Sequence, residues 1–383
     1  MNSRATAAAC VRAPPNPATV RRRAERRKGP AVTTGILDYR SDAIVQLMNI
    51  AEEDWTEKEL KDALQRAIML ELSTIPPYAT ALWSITNPDN SQPVRHAIRE
   101  IVFDEMSHFG LVCNMLTSIG GTVVLTDPLT VPKYPGELPG GVNPGLEVYL
   151  SGLTRESAGL FSDIEKPEHP LAFAADGNTI GAFYQRIADV FPTFAHLLTG
   201  QRQVTFPLGS SHGAGNDIVP MNTIDDVLNA IHIIQTQGEG TDASPDNPFP
   251  GAPGELAHYY AFKEIAVGKR LVLDDMTQKY EFTGADVPLP DTSPVARVPA
   301  GGWANSPGNE PDQTTAGLLH TFNQQYSDML RALEQAWGAT GADSIGPAIG
   351  LMGQMRRTAQ QINGIKLPAD PRFTYGPEWL FVQ

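Results

Sequence analysis

The segment "FDEMSHFG", residues 103–110, constrains this chain more than any other. Around it Ile98, Ile101, Val102, Phe109, Val112 and Leu116 recur at helical spacing, which predicts a buried helix face. Glu105 and His108 fall on that same face. A carboxylate on a core face is costly unless an arginine, a hydrogen-bond network or a metal pairs with it. "ELAHYYAFKEI" repeats the conflict: Glu255 and His258 are again three apart, beside Tyr259, Phe262 and Ile265.

Helix signals place these pairs. "TEKE" makes Thr56 an N-cap with Glu59 at N3, a capping box. Leu60, Leu64, Ile68 and Ile75 then share a face with Glu71 between the last two, and the pattern resumes to about Ile85. Pro76-Pro77 is expected to bend or break this helix, leaving a kinked continuation. "TNPDNSQP" is a turn, and a second helix is expected from Pro93 to Ile119, stopped by Gly120-Gly121. Glu71 lies 15 residues before Thr86 and Glu105 lies 14 after Ser91, so antiparallel neighbours would hold both carboxylates at one height. Residues 121–222 read as a loop-rich insertion, with a short strand or hairpin in "GLEVYL" and short helices stopped at Pro167 and interrupted at Pro192. Thr223 caps a third helix over 224–239, whose Leu228, Gln235 and Glu239 share a stripe. A fourth is expected over 254–268. Further helices over 313–337 and 346–362 cover the bundle.

Glu71, Glu105, His108, Glu239, Glu255 and His258 together supply four carboxylates and two imidazoles. Two residues three apart on a helix point the same way. Two Glu-x-x-His pairs plus one Glu from each of two other helices is the donor set of di-iron and di-manganese carboxylate bundles. Two divalent cations would balance four carboxylates. Mixed O/N donors favour iron, then manganese, over Mg or Ca, and without a cysteine cluster structural zinc does not fit. Glu239 is flanked by Gly238 and Gly240, poor helix formers, so Glu165 is its reserve, with Glu156 behind. Tyr184 and Tyr259 read as core aromatics near the site. No catalytic residue beyond the ligands stands out, and no heme is expected.

Charge sets the remaining bounds. The net charge of −14 over 383 residues argues against a nucleic-acid or anionic-membrane binder. Residues 1–30 hold eight of the 29 basic residues and one of the 43 acidic ones, leaving 21 basic against 42 acidic, a net of −21. Residues 1–35 are expected to be a disordered basic arm, a transit peptide or an early start being the alternatives, and 36–383 a single domain. A hydrophobic fraction of 41% supports a real core, and no stretch of 18 apolar residues predicts a membrane span. Cys10 and Cys113 make no disulfide framework, consistent with a cytoplasmic protein.

"LELSTIPPYATALWSI", "EIVFDEMSHFGLVCNMLTSIGG", "YPGELPGGVNPGLEVYL", "IIQTQGEGT" and "ELAHYYAFKEI" resemble the ferritin-like domain of the iminophenyl-pyruvate dimer synthase family. The likeness runs from about Ile44 to Ile265, with a weaker echo in "TYGPEWLFV". It implies an all-α, ferritin-like four-helix bundle with a loop-rich insertion and extra C-terminal helices. It implies two metal ions at Glu71, Glu105, His108, Glu239, Glu255 and His258. The expected function is a non-heme oxidoreductase using O2 on a small, amino-acid-derived molecule in secondary metabolism. Alternatives are oxidative imine-dimer coupling with a partner oxidase, and a non-catalytic metal-binding or scaffold bundle. Expected partners are the substrate, O2, and a second copy or a pathway enzyme.

Overall fold

The computed structural model describes residues 37–87, 93–167, 179–208, 217–241, 244–250, 254–338 and 345–383. The basic arm expected over residues 1–35 lies outside them. Among the described residues the helices are α1 (Ala43–Met48), α2 (Glu57–Ser84), α3 (Pro93–Ser118), α4 (Arg155–Ile164), α5 (Ile180–Val190), α6 (Ile224–Glu239), α7 (His258–Val267), α8 (Gln313–Ala336) and α9 (Ile345–Ile362). The sheet is one hairpin, β1 (Val272–Asp274) antiparallel to β2 (Lys279–Glu281), with Val272 opposite Glu281. The architecture is an all-α bundle with extra helices. No helix among the described residues is long and apolar enough to cross a membrane.

Local chemistry starts the helices where the sequence says. Thr56 and Glu59 exchange both capping-box hydrogen bonds at the start of α2, and Thr223 with Asp226 does the same for α6. Thr154 and Ser157 close a third such box at α4. "GLEVYL" forms no strand; Val148 makes a single antiparallel bridge to Gly136.

α2 packs along α3 and α4 along α7, and contacts of α2 with α4 and α3 with α7 join the two pairs. Tyr78 of α2, Phe161 of α4 and Phe262 of α7 lock three of these helices together, with ring centroids 4.8, 4.8 and 5.2 Å apart. The sequence reading assigned 121–222 to an insertion and 224–239 to the bundle. The structure gives α4, inside that range, the place beside α7, while α6 packs against α3, α5 and α7. The sequence shows this helix, but at 10 residues it is too short for its pattern to mark it as a bundle member.

α8 and α9 form an outer layer, and the C-terminal segment is tied beneath it. Trp379 Nε1 donates to Thr80 Oγ1 at 2.9 Å, and Trp337 Nε1 donates to Asn114 Oδ1 at 2.8 Å. Glu378 accepts from the Trp303 backbone N–H and from Asn323 Nδ2, both at 2.7 Å.

α2 continues through Pro76-Pro77 as one helix. Pro77 offers no N–H to the carbonyl four residues back, that of Ser73. Tyr134 Oη donates to that carbonyl at 2.6 Å and replaces the missing bond. Tyr134→Phe is therefore expected to destabilise the protein by about 1–3 kcal/mol in urea unfolding, through a buried carbonyl left without a donor. In a Pro77→Ala background, where residue 77 regains its N–H, the same change should cost much less. Equal costs in both backgrounds would contradict this account.

Candidate metal centre

Four elements converge on one buried point. α2 supplies Glu71, α3 supplies Glu105 and His108, the C-cap of α4 supplies Glu165, and the first residue of α7 is His258. All five are buried. They form two groups with suitable donors: Glu71, Glu105 and His108, and Glu105, Glu165 and His258. Within each, the donor atoms lie within 4.8 Å of one another, and Glu105 belongs to both.

The gaps around His108 are wider than ordinary hydrogen bonds. His108 Nδ1 is 3.7 Å from Glu71 Oε2 and 3.8 Å from Glu105 Oε1, too far to hydrogen-bond. Two donors on one ion at about 2.0–2.2 Å each leave gaps of this size between themselves. His258 Nδ1 lies 3.0 Å from Glu105 Oε1 and 3.8 Å from Glu165 Oε2, and as a buried atom it finds no hydrogen-bond partner among the described residues. An orphaned imidazole nitrogen facing two carboxylates fits a divalent cation, as does the mixed O/N donor set.

A shell of neutral donors holds the carboxylates. Thr74 Oγ1 lies 2.5 Å from Glu105 Oε2, Tyr78 Oη donates to Glu165 Oε1 at 2.6 Å, and Tyr184 Oη donates to Glu71 Oε1. The sequence reading gave Tyr184 a packing role; its hydroxyl reaches a site carboxylate. Behind the imidazoles, His108 Nε2 is 2.8 Å from Gln237 Oε1, and His258 Nε2 is 3.1 Å from Asp104 Oδ2. Gln237 and Asp104 went unread in the sequence. Their only signal there is adjacency, Asp104 to Glu105 and Gln237 to the glycine of "QGEG".

Electrostatics without cations is unfavourable. Burial, and then the neighbouring Glu105, pushes the Glu71 carboxyl well above its ordinary value; burial and Glu165 raise Glu105. Burial and the facing His258 push His108 down to about 3, so its imidazole is neutral at physiological pH. Burial pulls His258 down too, but Asp104, Glu105 and Glu165 outweigh it and hold it well above its usual value. The signs follow by linkage. Raised carboxyls favour the metal-free fold at low pH, and that contribution is lost as pH rises through their folded values. The depressed His108 acts oppositely, costing stability as pH falls from its ordinary range near 6.5 toward about 3.

Two sequence-derived candidates fall outside both groups. Glu239 ends α6, and its Oε1 accepts from the Gly181 backbone N–H at 2.9 Å, in the first turn of α5. A carboxylate is stabilised at a helix N-terminus. Glu255 precedes α7. Its backbone is held extended because Asn247 N–H donates to Glu255 O at 2.8 Å and Ala257 N–H to Pro245 O at 2.9 Å. The Glu255–His258 spacing is thus not one helical turn, and Glu255 lies instead 3.4 Å from His96 Nε2. Glu156, the second reserve, pairs with Arg297 at 2.6 Å near the surface.

Two cavities adjoin the centre. The inner one, about 20 Å³, is bounded by Glu71, Glu105, His108, Tyr184, Gly181 and Glu239 among others; it holds about one water molecule. The other, about 200 Å³, is a cleft of mixed lining that includes Asp104 and His258, with Glu100, Glu255, Glu264 and Arg270 among apolar side chains such as Val94, Ile101 and Ile265.

The crystal structure of a ferritin-like protein from Caulobacter vibrioides is similar in fold, at a TM-score of 0.57 and 22% identity over 83% of this chain and 99% of that one. No curated protein matches the sequence. The Ferritin-like family model matches residues 64–267, a span that contains every residue of the two donor groups. That span is more than half of the 383 residues, and the chain belongs to the ferritin-like family.

Proposed function

We propose that this protein holds two transition-metal ions, iron before manganese, and works as a non-heme oxidoreductase using O2 on a small organic molecule. Glu71 and His108 would hold one ion and Glu165 and His258 the other, with Glu105 available to both groups. The observation that carries this reading is the pair of buried His/carboxylate groups sharing Glu105. When bound, the metals supply the electrons for O2 reduction. The chain's own part is to keep His108 neutral, to hold Glu71, Glu105 and Glu165 through Tyr184, Thr74 and Tyr78, and to exclude bulk water. In this assignment Glu165 takes the place the sequence gave Glu239, and Glu255 is not a ligand.

The motifs shared with iminophenyl-pyruvate dimer synthases support an amino-acid-derived imine as substrate, made by a separate oxidase. The working unit is residues 36–383, in the cytoplasm, as a homo-oligomer or beside a pathway enzyme. A second reading, a non-catalytic metal-holding bundle, is favoured by the inner cavity, since about 20 Å³ beside the donors admits no organic molecule.

Oxygen uptake by Fe(II)-loaded protein separates the two readings. The enzyme reading expects repeated turnover that a small amino-acid-derived reductant accelerates and that Glu165→Ala abolishes along with metal content. Glu239→Ala and Glu255→Ala should retain metal. A single stoichiometric oxidation of iron, with no candidate substrate consumed, would favour the holding bundle.

The buried charges give a stability test. Glu71→Gln removes one repelling carboxylate while keeping an oxygen for Tyr184. In metal-free protein at neutral pH it should raise stability, by on the order of 1 kcal/mol. In metal-saturated protein the order should invert, because wild type gains RT ln(1 + [L]/Kd), about 4 kcal/mol at a thousandfold excess over Kd. A variant less stable than wild type without metal would contradict the charge argument.

A further inference from the structure

Behind the donor groups runs one continuous hydrogen-bonded chain, His108–Gln237–Asp104–His258, every member of it buried. Its links are His108 Nε2 to Gln237 Oε1 at 2.8 Å, Gln237 Nε2 to Asp104 Oδ1 at 3.2 Å and Asp104 Oδ2 to His258 Nε2 at 3.1 Å. The polarity of this chain is over-determined. A carboxylate only accepts, so Gln237 must turn its amide NH2 toward Asp104 and its carbonyl toward His108. That carbonyl only accepts, so His108 carries its proton on Nε2 and presents a bare Nδ1 to Glu71 and Glu105. The second Asp104 oxygen likewise takes the Nε2 proton of His258, leaving Nδ1 to face Glu105 and Glu165.

We propose that Gln237 and Asp104 form a single positioning bridge that presets both imidazoles, from two different helices, to bind metal through Nδ1. The inference rests on the metal reading above and adds residues to which that reading gives no role. Neither residue reaches the metals; each acts through a histidine. α6, which supplies none of the five donors, is tied to the centre through this bridge.

The chain's logic supplies its own control. Asp104→Asn alone puts one amide NH2 too many into the chain: turned toward Gln237 it makes that amide turn over, present its NH2 to His108 and force the His108 proton onto Nδ1, and turned toward His258 it forces the His258 proton onto Nδ1. Gln237→Glu alone sets two carboxylates face to face. The double variant satisfies every link with the central hydrogen bond reversed: Glu at 237 accepts from His108 and from Asn at 104, whose oxygen accepts from His258.

Two readouts decide the proposal. Long-range ¹H–¹⁵N NMR of the metal-free full chain reports the protonation of both imidazoles, and Mn(II) titration followed by EPR reports affinity. Wild type should show His108 protonated on Nε2. Asp104→Asn should place the proton of one of the two imidazoles, His108 or His258, on Nδ1 with Nε2 bare, and weaken Mn(II) binding by about 10–100-fold, the usual cost of losing an outer partner. Gln237→Glu should weaken binding similarly, and the double variant should recover both the tautomer and most of the affinity. A wild-type His108 protonated on Nδ1, or a double variant no better than the weaker single, would overturn the proposal. Wild type that binds no Mn(II) but shows the expected tautomers would instead overturn the metal reading, and with it the bridge's purpose, while leaving its geometry established.

Discussion

Three carboxylates and two imidazoles share the middle of a helical core, and most of the structure can be understood as the means of keeping them there. Desolvated like charges within a few ångström repel strongly, and burial alone penalises each. Without cations the cluster must take up protons, which is why Glu71 and Glu105 are pushed up and His258 is held charged. Two divalent ions would remove the conflict by replacing those protons. The phenols of Tyr78 and Tyr184 and the hydroxyl of Thr74 then serve as neutral donors that orient oxygens without adding charge.

Rigid placement follows from the packing. α2 and α3 lie along one another, so Glu71 and Glu105 meet at one level. The aromatic contact of Tyr78, Phe161 and Phe262 fixes α4 and α7 against α2, setting Glu165 and His258 opposite them. Tyr134, from the segment after α3, supports α2 where it passes its prolines, and the uninterrupted helix carries Tyr78 together with Glu71 and Thr74. The inner cavity touches Glu71, Glu105 and His108, and the larger cleft touches Asp104 and His258.

What the sequence made legible was the part carried by long periodic helices. Glu71, Glu105 and His108 sit on apolar stripes where 3.6-residue spacing is unmistakable, and the count from the intervening turn predicted their common height. His258 was legible for the same reason, on the face shared with Phe262 and Ile265. Glu165 was only a reserve because it caps a 10-residue helix stopped by Pro167, in a region dominated by loop signals. A carboxylate at the end of a helix stripe looks the same in sequence whether it faces a metal or, as Glu239 does here, the N-terminus of α5. The spacing of Glu255 to His258 mimics a helical turn, while backbone bonds involving residues 245 and 247 hold it extended. Both placements are set by partners outside the residue's own helix pattern, which periodicity does not report.

The central claim is that two ions sit on either side of Glu105. Anomalous diffraction from crystals of Fe- or Mn-loaded protein tests it most directly. The account predicts two peaks per chain bridged by Glu105, one bound by Glu71 and His108 and the other by Glu165 and His258, with Glu239 still on the first turn of α5. No peak among these residues, or a peak coordinated by Glu239 or Glu255 in place of Glu165, would contradict it.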